Sequence, residues 1–109
     1  MQFDFSLSFE LNVAEIVSSY NKKDMITKGS DNYLVLKALY NQHYVDNEEG
    51  RVQRLDGSLI KHTSQRVWDL THKFGVVGIS SRWVTGVRSD YKQYWISRRE
   101  NAVTVAENE

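Results

Sequence analysis

A chain of 109 residues is long enough to close one hydrophobic core and too short for two of ordinary size; 40% apolar residues, including three Trp, six Tyr and four Phe, supply that core. The absence of cysteine excludes a disulfide framework, a thiolate zinc site and a cysteine nucleophile, and no run approaches the roughly 18 apolar residues that span a bilayer. Lys and Arg balance Asp and Glu at 14 each, so the net charge alone argues for no class of partner.

Alternation is complete over residues 2–11: Phe3, Phe5, Leu7, Phe9 and Leu11 fall on one side, and Gln2, Asp4, Ser6, Ser8 and Glu10 on the other. That period predicts a strand with one buried face. Asn12 is then placed to cap a helix whose apolar residues Val13, Ile16, Val17 and Tyr20 share one side, and residues 28–30 read as a connection. Residues 1–30 are thus expected as a strand and helix packed on the module formed by residues 31–97. The leading residues lack the basic and apolar regions of a signal peptide, which predicts a cytoplasmic protein.

A second helix is expected from an Asp31 cap to about His43, with apolar residues around most of its surface, as suits a central helix. Asp46, followed by Asn47, Glu48 and Glu49, has the character of another helix start. In residues 50–61, Val52 and Leu55 favour a short helix, while Asp56-Gly57 equally suits the turn of a hairpin. Thr63 or Ser64 opens the next helix, which runs to Lys73 with Val67, Leu70 and Phe74 as its core stripe and ends at Gly75 in the left-handed conformation. Residues 76–85 are rich in β-branched side chains, residues 86–90 form a turn, and residues 91–97 form a second strand. Residues 98–109 have no apolar period and end acidic, which predicts a flexible tail.

The run T-S-Q-R-V-W-D-L-T-H-K-F-G-V-V-G-I-S-S-R-W-V-T-G, followed by Y-K-Q-Y-W-I, resembles the winged helix-turn-helix proteins of tailed bacteriophages over residues 60–97. The resemblance is carried by Arg66, Val67, Asp69, Leu70, Lys73, Gly75, Ile79, Arg82, Trp83, Tyr94 and Ile96; Thr71 and His72 depart from it where the family is more basic. It implies an α+β fold, a winged helix-turn-helix over residues 31–97 with an extra N-terminal strand and helix. It further implies a phage-encoded DNA-binding protein of the host cytoplasm, regulatory in transcription or accessory, that binds double-stranded DNA.

The charge distribution agrees with that expectation. Residues 1–50 hold four Lys or Arg against eight Asp or Glu, whereas residues 51–99 hold ten against three. A recognition helix presents its first residues to base edges while neighbouring cations hold phosphates. Lys61, His62, Thr63, Ser64, Gln65 and Arg66 occupy those positions, with Lys73 at the helix end and Arg82, Arg88 and Lys92 on the wing. Gln65 suits adenine and Arg66 guanine or phosphate, although Arg66 is also spaced to pair with Asp69. Trp68, Trp83, Trp95, Tyr91 and Tyr94 offer rings that stack on unpaired bases in single-strand binders, but large aromatics in a small domain are expected mainly in the core, with one or two exposed.

His43, His62 and His72 lack the spacing of a metal site, and no phosphate loop or nucleophile-base pair is visible, so no enzyme, metal or cofactor is expected. A strand over residues 2–11 needs a partner, which suggests a homodimer through it. The alternative to DNA binding is a scaffold that binds and inhibits, or adapts, a host protein; the acidic first half favours it.

Overall fold

A computed structural model describes residues 3–20 and 26–96. Its elements are α1 (Phe9–Tyr20), α2 (Asp31–Tyr40), α3 (Thr63–His72), β1 (Ile79–Val84) and β2 (Tyr91–Ile96). Among the described residues these make a small α+β domain of three helices and one two-stranded antiparallel sheet.

The expected N-terminal strand is replaced by a turn and the start of α1. Within residues 3–8 the chain turns, and the Ser8 hydroxyl caps the helix by accepting from the Leu11 N–H at 3.2 Å. Asn12, placed by its sequence as a cap, is instead fully buried in the first turns. Its Oδ1 accepts from the Asp4 N–H, and its Nδ2 donates to the Asp4 and Ser8 carbonyls. The alternation misleads because the five apolar residues do not share a face: Phe3 and Phe9 are buried, whereas Leu7 and Leu11 are exposed. The rings of Phe3, Phe5 and Phe9 gather around Tyr40 of α2, with centroids 5.3, 5.3 and 5.5 Å away.

Helix α2 is capped by Ser30 rather than Asp31, the Ser30 Oγ accepting from the Tyr33 N–H at 3.2 Å. It ends at Tyr40, short of His43, where Asn41 bonds back to Lys37 and Gln42 adopts a left-handed φ of 68°. Tyr33, Val35, Leu36 and Leu39 are buried, which makes α2 the centre of the core as its composition predicts.

No helix starts at Asp46. Its buried carboxylate folds the loop back on itself, Oδ1 accepting from the Glu48 and Gly50 N–H groups at 2.7 and 2.8 Å. The short helix favoured for residues 50–61 is likewise absent, and the alternative reading holds. Gln53 bridges Leu59, Ile60 N–H bonds to Val52 O, and the Asp56 carboxylate accepts from the Ser58 N–H to close the turn. Arg54 anchors this hairpin to α2 through Asp31, with Nε and one terminal nitrogen at 2.9 and 3.0 Å from the two carboxylate oxygens.

Helix α3 buries the expected stripe of Val67, Leu70 and Phe74, and Gly75 follows with φ 65°, where a side chain would be strained. The chain then enters the β1–β2 hairpin, in register from Ile79 opposite Ile96 to Val84 opposite Tyr91. At its turn, a Cβ on Gly86 would collide with the Ser89 carbonyl. Val45 exchanges two backbone hydrogen bonds of 2.9 Å with Tyr94, fastening the loop after α2 to the other edge of β2. The expected acidic tail at residues 98–109 lies outside the described residues.

Candidate nucleic-acid interface

Helix α3 buries one side and shows solvent a polar and aromatic one: Ser64, Gln65, Trp68 and His72 are exposed, with Lys61 and His62 leading in. The β1–β2 hairpin also has two distinct sides, because side chains alternate along a strand. Ile79, Ser81 and Trp83 share a side with Ile96, Tyr94 and Lys92; Arg82 shares the other with Gln93 and Trp95. The first side meets α3 across an open groove of about 250 Å³, lined by Ser64, Trp68, Thr71 and His72 on the helix and Ser81, Lys92 and Tyr94 on the strands. The Tyr94 hydroxyl donates to Ser64 Oγ at 3.0 Å and forms the groove floor. No carboxylate among the described residues lines it.

The turn of the hairpin has the opposite electrostatics. Arg88 and Tyr91 border a depression shared with Glu48, Glu49 and Arg51. The Tyr91 hydroxyl has a raised pKa, chiefly through desolvation and further through the negative charges of Asp46, Glu49 and Glu48.

Several expected contact residues are occupied within the fold. Thr63 is fully buried, its N–H bonded to Asn47 Oδ1 at 2.9 Å and its hydroxyl to the Asp46 carbonyl at 3.3 Å, so it cannot reach a base. The nearly buried carboxylate of Asp69 draws in Gln65 Nε2 at 3.0 Å, Arg66 at 3.3 Å and Lys73 Nζ at 3.7 Å. Arg66 thus makes the i, i+3 pair that its spacing allows. Arg82 donates from Nε and a terminal nitrogen to Gln93 Oε1 at 3.0 and 2.8 Å, and its guanidinium lies 5.4 and 5.8 Å from the ring centroids of Tyr44 and Trp95. Gln93 passes the link to Asp46 Oδ2 at 3.1 Å.

Comparison with protein-family models, with curated proteins and with solved structures finds no match to this chain. The site is therefore defined by its own geometry.

The side chains of Lys61, His62 and Arg88 are exposed and make no hydrogen bond or ion pair to the described residues, while the Lys92 side chain makes only a ring contact, its Nζ 5.7 Å from the Trp83 centroid. Arg98 and Arg99, two of the ten cations that make the second half basic, lie outside the described residues. Of the aromatic residues expected mainly in the core, Tyr94 is buried and Tyr91 and Trp95 are partly so. Trp68 and Trp83 are 49% and 68% exposed, although sequence reasoning preferred a place in the core to stacking on unpaired bases for these aromatics. A signal was present in Trp68, which falls one position after Val67 and off the Val67–Leu70–Phe74 stripe. No group of three or more His, Asp or Glu side chains among the described residues is placed to hold a metal ion.

Proposed function

We propose that this domain is a variant winged helix that binds duplex DNA as a phage-encoded regulatory or accessory protein, with a hairpin at residues 50–61 in place of the second helix of the motif. The order α2, bridging segment at Val45, α3, β1, β2 is compatible with that architecture. One observation carries the reading: α3 and the β1–β2 hairpin border an open groove with no carboxylate among its described lining residues and with Lys92 in its wall, while Lys61 precedes α3 beside Glu48 and Arg51. Ser64 at the start of α3 faces base edges, with Gln65 beside it once its amide leaves Asp69, while Lys61 and Lys92 face phosphates and Arg88 extends the contact from the hairpin turn.

Because Asp31 and Asp69 hold Arg54, Arg66 and Lys73, only a few cations of the second half are free for phosphates among the described residues. Binding of a random-sequence duplex should therefore weaken with salt at a log–log slope of about −3, well short of the roughly −9 that ten phosphate contacts would produce. Lys61→Ala and Arg88→Ala should each reduce that slope by about 1 in a fluorescence-anisotropy titration. Absence of duplex binding at low salt, or slopes untouched by both substitutions, overturns the reading.

A protein-binding scaffold, inhibiting or adapting a host protein, is the second reading, favoured by the exposure of Trp68, Val77, Trp83 and Val87. Stoichiometric capture of one host protein by a chain without affinity for duplex DNA would select it.

A further inference from the structure

Exposed tryptophans are uncommon in a domain this small, because an indole leaves a large apolar area in water. Trp68 projects from the middle of α3 and is 49% exposed; Trp83, on β1, is 68% exposed. Trp68 belongs to the groove, and Trp83 adjoins it through Lys92. Trp68 lines it directly, and Lys92, which lines it from β2, lies opposite Trp83 in the register with its ammonium 5.7 Å from that ring. His72 stacks on Trp68 at a centroid distance of 4.7 Å and also lines the groove.

One indole in the groove and a second beside Lys92, with one ammonium, one imidazole and the hydroxyls of Ser64, Thr71 and Ser81, and no carboxylate among the described lining residues, form a surface for a flat, polar, anionic ligand. Base pairs inside a duplex hide their faces, so an indole can stack only on a base that has left the helix. We propose that the groove seats unpaired bases of single-stranded nucleic acid, with Trp68 and Trp83 as stacking platforms and Lys92 at the adjoining phosphate. The inference rests on the nucleic-acid reading above and sharpens it: the preferred target carries an unpaired stretch rather than being a continuous duplex.

The test compares an oligothymidylate of about 15 nucleotides, its oligouridylate counterpart and a blunt duplex of the same length at one low salt concentration. Intrinsic tryptophan fluorescence should be quenched by the single strands, and they should bind more tightly than the duplex. Trp68→Ala and Trp83→Ala should each weaken single-strand binding by about ten-fold or more while changing duplex binding less than about two-fold. Trp83→Phe, which keeps an aromatic face, should retain most of the affinity, and circular-dichroism melts should match the parent because both indoles are solvent-facing. A preference for oligouridylate would assign the groove to RNA, and one for oligothymidylate to DNA, each supporting the proposal. Duplex binding without single-strand binding, or equal losses on both ligands, overturns this inference and leaves the duplex reading standing. Failure of every nucleic acid to bind overturns both.

Discussion

Arg82 and Arg88 belong to one hairpin and carry the same charge, yet the fold uses them in different ways. Arg82 bonds to Gln93 and lies against Tyr44 and Trp95, whereas Arg88 projects from the turn without a partner among the described residues. A hydrogen-bonded, ring-stacked guanidinium on a partly exposed face contributes about 1 kcal/mol. Arg82→Ala should accordingly lower the melting temperature by about 4–8 °C, while Arg88→Ala should leave it nearly unchanged. Thermal melts followed by circular dichroism would show this, and identical melts for both variants would mean that the Tyr44–Arg82–Trp95 stack contributes nothing. Strand alternation already separates Arg82 from Trp83 in the sequence, but the presence of Tyr44 across from it depends on a loop nearly forty residues away along the chain. The pairing of Arg66 with Asp69, by contrast, was readable from its i, i+3 spacing.

At the scale of elements, the part of the chain from Thr63 to Ile96 was the most legible, because its determinants are local. A 3.6-residue stripe, a glycine stop and then β-branched runs around a glycine turn each specify one conformation. The failures over residues 2–11 and 50–61 arose where tertiary contacts decide. Residues 2–11 have a strand's period, but the buried amide of Asn12 holds the Asp4 backbone, and the Phe3 and Phe9 side chains find their core in the ring of Tyr40 rather than in a neighbouring strand. In residues 50–61 the helical pattern rested on Val52 and Leu55 alone, and Leu55 proves to be 82% exposed. The groove escaped prediction for the same reason, since its walls come from elements whose separation no local pattern encodes. Asn12→Ala would strip partners from the Asp4 N–H and carbonyl in a buried setting, at a cost of about 2 kcal/mol. A urea midpoint lowered accordingly, with an unchanged m value, would confirm that Asn12 joins the leading turn to α1; an unaltered midpoint would refute it.

For the whole molecule, a neutral total charge conceals internal pairing. The Arg54 guanidinium, by hydrogen bonding first and by its charge second, holds the Asp31 carboxyl below its ordinary pKa. The Asp4 and Asp56 carboxyls are also lowered, each chiefly by a serine side chain two residues on. A carboxylate with a depressed pKa in the folded state stabilises fully above its unfolded value, near 4, and loses that contribution as the pH falls through the folded value. The melting temperature should thus hold steady from pH 7 to about pH 5 and drop below about pH 4. Arg54→Ala should lower the plateau slightly and flatten the acid limb; an acid limb unchanged by the substitution would exclude Asp31 as a contributor.

The buried Asp46 joins these scales. Its carboxylate ties its own loop and Gln93 of the hairpin, while its carbonyl receives the Thr63 hydroxyl at the start of α3. Both walls of the groove are therefore pinned to one post. A ligand entering it meets a shape already set, so little ordering accompanies association, and the complex should keep the backbone of the free protein.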